Sequence, residues 1–462
     1  MRFKFYITSI LISVLMISCQ KAKSGIIAEK NNNLNLVGGN PPNIIVILTD
    51  DHGYADVGAQ KQSNDIRTPQ IDLLAAGGAR FTSAYVTAPV CAPSRIGLIT
   101  GMYQQKFGVD NNANAGNFPQ HIQTLPQRLQ KAGYTTGLVG KAHFGRPIAT
   151  MGFDYYFMHQ TSPWEPVYLN NFDKDGRILP KNELFNLKNL GQYRIEEETK
   201  KAELFIEKNR NEPFFLYLAY TAPHVPMEAP ADYMDRFKDV KDKDRQLCLA
   251  MLSAVDDGVG RIMSMLEKYS LKENTLVIFL SDNGGVEDKT NEGYDASLNI
   301  PLLGEKGLLL EGGIRIPWIM YWQGKIKKGQ KITAPVISLD ISATVLNLAK
   351  AKDMSGLDGI DLMPWVLNGK KSNKDRPFFW YTRGQEAIRY GKWKMMRRSD
   401  KSWSYLVNIE DDISEQNNLA VRYPEVVKQL EAELDKWILS NGVVVDPVAP
   451  PVLDRRLRFY TD

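Results

Sequence analysis

The sequence predicts an α/β protein with a large, mostly parallel or mixed sheet between layers of helices, followed by a small C-terminal α+β subdomain. Two observations lead to this fold class. Apolar runs of strand length alternate with helical patterns over most of the chain, which is typical of parallel sheets with helices on both faces. Beyond residue 365 the apolar runs become short and closely spaced, which is typical of antiparallel strands.

Three apolar runs and one less apolar segment, residues 135–139, are the predicted core strands of the large sheet. The first, residues 43–49, reads NIIVILT, and such a nearly continuous apolar run is expected of a parallel strand that is buried on both faces. The other three predicted strands are residues 135–139, 214–219 and 275–280. Helical patterns occur at residues 124–132, 196–209, 245–268 and 340–350. This alternation favours parallel strands that are joined through helices.

The C-terminal part is predicted to hold about four antiparallel strands and one helix. The strands are residues 378–381, 386–390, 393–397 and 405–408, and an amphipathic helix covers residues 424–440. A tail that begins rich in proline follows at residues 446–462. We therefore assign residues 42–365 to the large domain and residues 366–462 to the subdomain and tail.

The N-terminal segment is predicted to direct export. Residues 1–18 read as a signal peptide, because two basic residues precede an apolar run that is too short to span a bilayer. The run ends in LMISC, which resembles a bacterial lipobox and predicts a lipid anchor at Cys19. Residues 19–41 are rich in Asn, Gly and Lys and are predicted to form a flexible tether. We expect a lipoprotein of the periplasm or outer membrane, with an ordinary signal peptide as the alternative.

Charge and cysteine content argue against a nucleic-acid-binding protein and against a disulfide-stabilised one. The chain has 57 basic and 53 acidic residues, and this small excess gives no reason to expect a nucleic-acid partner. Of the three cysteines, Cys19 would carry lipid and Cys248 lies in an apolar helical pattern. Because that leaves only Cys91, which lies in a polar motif, no disulfide is expected.

Polar residues follow each of the four predicted core strands. In a parallel α/β sheet, ligands bind beyond the carboxyl ends of the strands, so these residues can converge on one edge. Each of them alone could be an ordinary helix cap or turn residue, but four strand ends together indicate a shared site. The residues are Asp50, Asp51, Lys141, His143, His224, Asp282 and Asn283.

The acids and the amide in this set favour a hard metal ion. Asp50, Asp51, Asp282 and Asn283 offer oxygen ligands without an imidazole, which suits calcium or magnesium better than zinc. The whole chain has only five histidines, and a two-zinc phosphatase site would use most of them.

A short motif, CAPSR, begins at Cys91 and is followed by Thr100 and Gly101. We expect Cys91 to lie in a loop, with Pro93 and Ser94 opening the helix that follows. An oxyanion near Cys91 would gain from the N-terminus of that helix and from the fixed charge of Arg95.

Together these motifs resemble the formylglycine-dependent sulfatases of the alkaline-phosphatase superfamily, from about residue 43 to about residue 437. The cysteine motif is the most specific part. The Asp-Asp, Gly-Lys-x-His, Pro-His and Asp-Asn-Gly-Gly blocks occur in the family's order, and residues 305–317 match a further block. The resemblance implies an alkaline-phosphatase-like fold and a sulfatase that removes sulfate from a polysaccharide or glycan.

The resemblance also implies a role for each residue of the set. A maturation enzyme would oxidise Cys91 to formylglycine (3-oxoalanine), whose hydrate is the nucleophile. Calcium would be held by this hydrate and by Asp50, Asp51, Asp282 and Asn283. Arg95 would stabilise the hydrate, and His143 would take a proton from it. Around the sulfate group the family places Lys141, His224 and Lys306, and either His224 or Lys306 would protonate the leaving alcohol.

Some positions depart from the family pattern or concern substrate choice. Ala142 stands where the family often has an aromatic residue, and either His159 or Ser162 is the candidate for a further sulfate contact. The candidate specificity residues lie in irregular segments: Asn111, Asn112, His159, Trp164, Glu165 and Arg383.

Two other functions fit parts of the same pattern. A phosphonate or phosphodiester hydrolase can share the cysteine motif, but Asn283 and the few histidines argue against it. An inactive glycan-binding lipoprotein on a sulfatase scaffold would not need an intact Cys91 or the basic residues around it. The sequence therefore favours hydrolysis of a sulfated carbohydrate.

Overall fold

A nine-stranded sheet forms the centre of the protein. The computed structural model describes residues 41–159, 168–169, 193–368 and 376–445. The strands are β1 (Asn43–Asp50), β2 (Ala79–Phe81), β3 (Ala84–Tyr85), β4 (Thr135–Lys141), β5 (Tyr155–His159), β6 (Tyr168–Leu169), β7 (Phe214–Pro223), β8 (Thr275–Ser281), β9 (Trp318–Tyr321), β10 (Gln330–Ile332), β11 (Val336–Ile337), β12 (Phe378–Thr382), β13 (Gln385–Tyr390), β14 (Trp393–Arg398) and β15 (Ser404–Asn408).

Helices cover both faces of this sheet. They are α1 (Pro69–Gly77), α2 (Cys91–Thr100), α3 (Leu125–Lys131), α4 (Arg194–Asn209), α5 (Ala231–Asp235), α6 (Lys243–Lys268), α7 (Glu311–Ile314), α8 (Leu339–Leu348), α9 (Met363–Asn368) and α10 (Pro424–Ser440). On one face of the sheet, α6 packs against α1 and α4, and both α4 and α6 contact β7. On the other face, α2, α3 and α8 pack together, and α3 contacts β4.

The strand order brings the four predicted core strands side by side. The order is β10-β2-β9-β8-β1-β7-β4-β5-β6, and the neighbours from β8 to β5 are parallel. Strand β9 runs antiparallel to β8 and β2, so the sheet is mixed but mostly parallel, as predicted. Because β8, β1, β7 and β4 are adjacent and parallel, their carboxyl ends form one continuous edge.

The burial of β1 explains its apolar sequence. All eight residues of the strand are buried. Ile45 and Ile47 belong to a core cluster with Phe205 of α4 and Leu252 of α6, so every second side chain faces those helices. The residues between them face the opposite layer, and an apolar residue is therefore needed at each position until Thr49.

The predicted helices are confirmed as α3, α4, α6 and α8, with ends that differ by no more than two residues from prediction. The expected position of Cys91 is wrong, because α2 begins at Cys91 itself and not after Pro93. Val90 is extended (φ −144°, ψ 153°) and ends the preceding segment. Pro93 fits the first turn because a residue there has no intrahelical N–H partner to lose.

The C-terminal strands β12 to β15 form the predicted four-stranded antiparallel sheet. Strands β12 and β13 are joined by Arg383 and Gly384, whose φ angles of 44° and 75° suit a tight hairpin turn. This sheet packs on the large domain through aromatic residues. The ring centroids of Phe379 and Tyr103 lie 6.3 Å apart, and Trp380 donates from Nε1 to the Val86 carbonyl oxygen at 2.7 Å.

A buried ionic network also joins the subdomain sheet to α7 of the large domain. Lys394 of β14 is completely buried and contacts Glu311 at 2.9 Å and Glu415 at 2.8 Å. Burial opposes ionisation of Glu311, but Lys394 and Arg315 outweigh it and lower the pKa of Glu311 to about 2. Burial raises the pKa of Glu415 to about 7. Since Glu311 lies five residues after Lys306, the network also fixes the segment that carries this predicted site residue.

Several predictions lie outside the described residues. These are the signal peptide (residues 1–18), the tether up to residue 40 and the tail at residues 446–462. The domain boundary at residue 365 stays a prediction. Within the described part of the chain, none of the helices combines the length and the apolar character needed to cross a bilayer.

We predict that Lys394→Met lowers the free energy of unfolding by about 3 kcal/mol, because it leaves buried carboxylates without their shared cation. Urea unfolding followed by tryptophan fluorescence measures this loss. The matched control is Lys392→Met, which removes an exposed ammonium that lies 5.1 Å from the Trp393 ring centroid. The control should cost less than about 1 kcal/mol. Equal losses for the two variants would contradict a role for the buried network.

Candidate active site

Three aspartates meet at the carboxyl edge of the large sheet. Asp50 ends β1, Asp51 follows it with a positive φ of 62°, and Asp282 follows β8. Thr49 and Ser281 are partners in the parallel register of these two strands, so the acids that follow them are neighbours. The Asp51 backbone N–H donates to Asp282 Oδ1 at 3.1 Å. All three side chains are buried.

Three cations neutralise these carboxylates. Lys141, at the end of β4, lies 2.5 Å from Asp50 Oδ2, and Lys306 lies 2.6 Å from Asp51 Oδ2. Arg95, one turn along α2, donates from Nε to Asp282 Oδ2 at 2.8 Å and from Nη1 to the Lys141 carbonyl oxygen at 2.8 Å. Charges this deeply buried are tolerated only when they are paired and hydrogen-bonded, and these pairs meet that need.

Cys91 lies inside this cluster. Its Sγ is 3.4 Å from Asp50 Oδ1 and 3.8 Å from Asp51 Oδ1, and only 1 % of the residue is exposed. Burial raises the pKa of the Cys91 thiol well above its ordinary value; Lys141 and Lys306 oppose this shift, and the Asp282 and Asp50 carboxylates add to it. The thiol therefore stays protonated at neutral pH, and an unmodified Cys91 is a poor nucleophile.

The two predicted histidines lie at the same edge. Burial lowers the pKa of His143 to about 2, and the charges of Lys141 and Arg95 act in the same direction. His143 has a positive φ of 50°, and its buried Nδ1 has no hydrogen-bond partner among the described residues. His224 follows β7, with Nε2 3.7 Å from Asp51 Oδ2 and Nδ1 2.5 Å from the Val225 carbonyl oxygen. Burial lowers the pKa of His224 as well, and the charge of Lys141 acts in the same direction. Both histidine rings are therefore neutral.

The donor atoms fit a hard metal ion. Ligand atoms of Asp50, Asp51, Cys91 and Asp282 all lie within 4.8 Å of one another. Burial raises the pKa of Asp282 to about 7, Arg95 opposes this, and the charges of Asp50 and Asp51 add to it. A cation at this point would therefore stabilise ionised Asp282. The carboxylate oxygens suit calcium or magnesium, and the Cys91 sulfur stands where an oxygen of the modified residue would be.

The surroundings of Asn283 also fit a hard metal ion. Its Oδ1 is buried and has no hydrogen-bond partner within the described structure, while Nδ2 donates to Asp51 Oδ1 at 2.6 Å. The oxygen and nitrogen of an amide have nearly the same shape, so the reverse orientation is sterically equivalent. That orientation would turn an oxygen toward the carboxylates, and a cation there would make it favourable.

The segment that carries Lys306 is fixed by contacts that the sequence pattern did not reveal. Asn299 is buried, accepts from the Gly285 N–H at 2.9 Å and donates to the Gly285 carbonyl oxygen at 3.1 Å. Gly284 passes so close to Gly312 that a Cβ there would lie 1.7 Å from the Gly312 carbonyl oxygen. Nothing in the sequence pattern singles out Asn299, because a side chain that braces irregular structure leaves no periodic signal.

The side chain of Asn112, a predicted specificity residue, binds the backbone of α2. Its Oδ1 accepts a hydrogen bond from the Ala92 N–H at 3.0 Å, so it satisfies a free backbone donor in the first turn of α2. Since Val90, the N-cap residue, makes no side-chain capping bond, Asn112 supplies this cap from 20 residues further along the chain.

The other specificity candidates are spread over this region. Asn111 accepts from the Ala113 N–H at 2.8 Å, and the backbone N–H of Arg383 donates to Asp110 Oδ2 at 2.9 Å. The register of β4 and β5 pairs the backbone of His159 with that of Lys141. Ser162, Trp164 and Glu165 lie outside the described residues, so the choice between His159 and Ser162 stays open.

The sequence and fold match known sulfatases. Residues 42–351 match the family model described as Sulfatase, and residues 303–439 match the model N-sulphoglucosamine sulphohydrolase, C-terminal. The chain is 35% identical over 389 residues to N-acetylgalactosamine-6-sulfatase of Mus musculus, which covers 77% of this chain and 71% of the relative. It is 28% identical over 496 residues to N-acetylgalactosamine-6-O-sulfatase of Bacteroides thetaiotaomicron, with coverages of 88% and 94%.

A solved structure agrees with these relatives. The crystal structure of Ps i-CgsB in complex with k-i-k-neocarrahexaose superposes with a TM-score of 0.77 and 32% sequence identity, over 91% of this chain and 97% of that chain. The protein therefore belongs to the sulfatase family and has its alkaline-phosphatase-like fold. It is a sulfuric ester hydrolase, as the sequence motifs implied.

Proposed function

We propose that this sulfatase desulfates carbohydrates, using a formylglycine made from Cys91 and a calcium ion held by Asp50, Asp51, Asp282 and Asn283. The observation that carries the proposal is the position of Cys91: its Sγ lies 3.4 Å from Asp50, within the carboxylates and cations of the sheet edge. When bound, calcium would supply positive charge for the sulfate oxygens, and the formylglycine hydrate would supply the attacking oxygen and a second hydroxyl for release of sulfate.

Charge balance supports an anionic substrate. Three carboxylates face three cations in the cluster, so a divalent cation would leave an excess of positive charge. Lys306 is 16 % exposed and Lys141 is 2 % exposed, so Lys306 lies nearer the solvent side. In this proposal both ammonium groups bind sulfate oxygens and stabilise charge that develops there in the transition state.

The protonation states of the two candidates favour Lys306 over His224 as the acid that protonates the leaving alcohol. Burial opposes the charged form of Lys306, but Asp51 above all holds the pKa of Lys306 well above its ordinary value. Lys306 therefore carries a proton at neutral pH, whereas the lowered pKa of His224 leaves that ring neutral. A cation that neutralised Asp51 would weaken the main cause of the raised pKa and make Lys306 a better acid.

His143 has the properties needed of a base. The ring is neutral and its buried Nδ1 makes no hydrogen bond within the described structure, so this nitrogen is free to accept a proton. Because burial lowers the pKa of His143 far below neutral, the ring is a weak base and would accept a proton only in step with the departure of sulfate. We assign it the role of taking a proton from the residue at position 91. Arg95 is fully buried and bound to Asp282, so it can hold a fixed charge one turn from that residue.

Maturation would have to precede folding. Cys91 is 1 % exposed and its backbone lies in the first turn of α2, so a second protein cannot reach the thiol in the folded chain. We therefore propose that a formylglycine-generating enzyme acts on the extended chain. This order agrees with the proposed export, in which residues 1–18 direct secretion and Cys19 receives the lipid.

The carbohydrate half of the substrate is inferred from the relatives. Two of them are named as sulfatases of N-acetylgalactosamine sulfate, and the Ps i-CgsB structure holds a neocarrahexaose. Shared family membership and the charge of the site extend this substrate class, sulfated sugars, to the present protein.

We predict that Cys91→Ala lowers turnover of a sulfated-glycan panel at least about 1000-fold, because it removes the nucleophile while the fold is kept. Released sulfate is measured by ion chromatography, using protein made together with a maturation enzyme. Cys248→Ala is the matched control, since Cys248 is the other buried cysteine among the described residues and lies in α6 within the hydrophobic core cluster, outside the proposed donor set. The control should retain its activity per folded molecule, and near wild-type turnover by Cys91→Ala would refute the assignment.

A related assay distinguishes sulfate ester hydrolysis from phosphate ester hydrolysis. Sulfate and phosphate esters of one alcohol are compared at equal concentrations, and the sulfate ester should be the better substrate. A clear preference for the phosphodiester would identify a phosphodiester hydrolase on this fold. Binding of sulfated glycan by the matured protein without any turnover would identify an inactive binding protein.

We predict that calcium raises the thermal midpoint, by a stabilisation of about 2.7 kcal/mol at 100 times its dissociation constant. Scanning calorimetry measures this shift, which should be lost in Asp51→Asn. It should be kept in Asp256→Asn, the control, whose carboxylate lies elsewhere and accepts from the backbone of Ile71 at 2.8 Å.

The shift should also decrease as pH falls through about 7, because protons then compete for Asp282, whose pKa is about 7. A zinc shift without a calcium shift, or no shift with either ion, would contradict the proposed donor set.

A further inference from the structure

A second concave surface lies at the edge of the large sheet opposite the aspartates. It is a groove of about 1080 Å³ between α1, the end of α6 and the turn after β9. Lys272 of this groove lies three residues before the start of β8, and Tyr321 pairs with Val277 near that start. The active-site residue Asp282 follows the other end of β8, so the seven residues of the strand separate the two sites by about 20 Å.

The rim of the groove is basic. Lys268 and Lys328 are exposed and Lys272 is half-buried, and all three line it. The segment that contributes Lys328, which runs from the turn after β9 into β10, has four lysines within residues 325–331, all of them exposed. Glu267 is the acid on the groove lining, and it is already paired with Lys272. The positive charge comes from two segments more than 50 residues apart, about residues 268–272 and 325–331, so it forms no run in the sequence.

The rest of the groove lining combines apolar and hydrogen-bonding groups. Leu73 is 63 % exposed although it is a large aliphatic residue, and Tyr321 and Gln323 are half-buried beside it. Gly77 allows the ring of Tyr321 to lie close, because a Cβ at Gly77 would be 2.7 Å from its Cε2. Ligand sites have this character, an apolar lining with a few polar groups, and the volume lies slightly above their usual range.

We propose that this groove binds a second stretch of a sulfated polysaccharide chain, away from the stretch that is hydrolysed. The proposal rests on the proposed function, which makes sulfated carbohydrate the substrate. The lysines would contact sulfate groups, the amide and phenol would contact hydroxyls, and Leu73 and Tyr321 would contact the apolar faces of sugar rings. A chain held at this edge would raise the concentration of polymer near the active site.

The shape favours a polysaccharide over an anionic membrane. A bilayer surface needs a broad projecting basic and apolar face, whereas here Tyr321 and Gln323 are half-buried in the groove and Leu73 is the one strongly exposed large apolar side chain of its lining. A narrow chain can enter such a groove, and the membrane is an outcome that the experiment distinguishes.

The test measures binding of dextran sulfate to Cys91→Ala protein, which removes turnover from the measurement. Isothermal titration compares the protein with and without Lys268→Gln and Lys328→Gln, and neutral dextran is the uncharged probe. The matched control pair is Lys428→Gln and Lys436→Gln, which removes the same charge from exposed positions on α10. Binding at the active site is common to all samples, so differences among them report the groove.

The groove pair should weaken dextran sulfate binding about fivefold to tenfold in low salt, and the difference should vanish in high salt. The control pair should change affinity less than twofold, and neutral dextran should bind far more weakly. Equal weakening by both pairs, no weakening by the groove pair, or tighter binding of phosphatidylglycerol vesicles through the same lysines would each overturn the proposal. Because hydrolysis is not measured, these outcomes are separate from failure of the proposed sulfatase chemistry.

Discussion

The pairing of three buried carboxylates with three buried cations at one sheet edge is the constraint on which the rest of the structure depends. Taking an ion out of water costs several kcal/mol even after relaxation, so each member needs its partner in the right place. Asp50 with Lys141 and Asp282 with Arg95 meet only if β1, β4 and β8 end at the same level. The paired, mostly buried strands beneath them supply that register.

This constraint also explains features at a distance from the acids. Lys306 reaches Asp51 from a loop, and the loop is fixed by Asn299, by the close passage of Gly284 and by the buried Lys394 network. Arg95 joins the acids to α2, and this places the first residue of the helix, Cys91, within the cluster. The same burial keeps the thiol protonated, so the chemistry proposed for position 91 depends on a change of the residue itself.

Much of this arrangement could be predicted from the sequence, for a physical reason. Buried parallel strands are continuous apolar runs, and polar residues that directly follow four such runs must converge when the strands are adjacent. What could not be predicted depends on irregular backbone. The helix start at Cys91 depends on the extended conformation of Val90, and the roles of Asn112 and Asn299 depend on long-range contacts that leave no local pattern. The lysine-rimmed groove joins two segments that are distant in the sequence.

The central claim, that position 91 is converted to an aldehyde, is tested most directly by the mass of the tryptic peptide covering residues 81–95. The protein is made together with a formylglycine-generating enzyme. Its peptide should be lighter than the cysteine form, because one oxygen replaces a sulfur and two hydrogens, and it should react with a hydrazide. A peptide that keeps the mass of unmodified cysteine, in a preparation that still hydrolyses sulfate esters, would contradict the account.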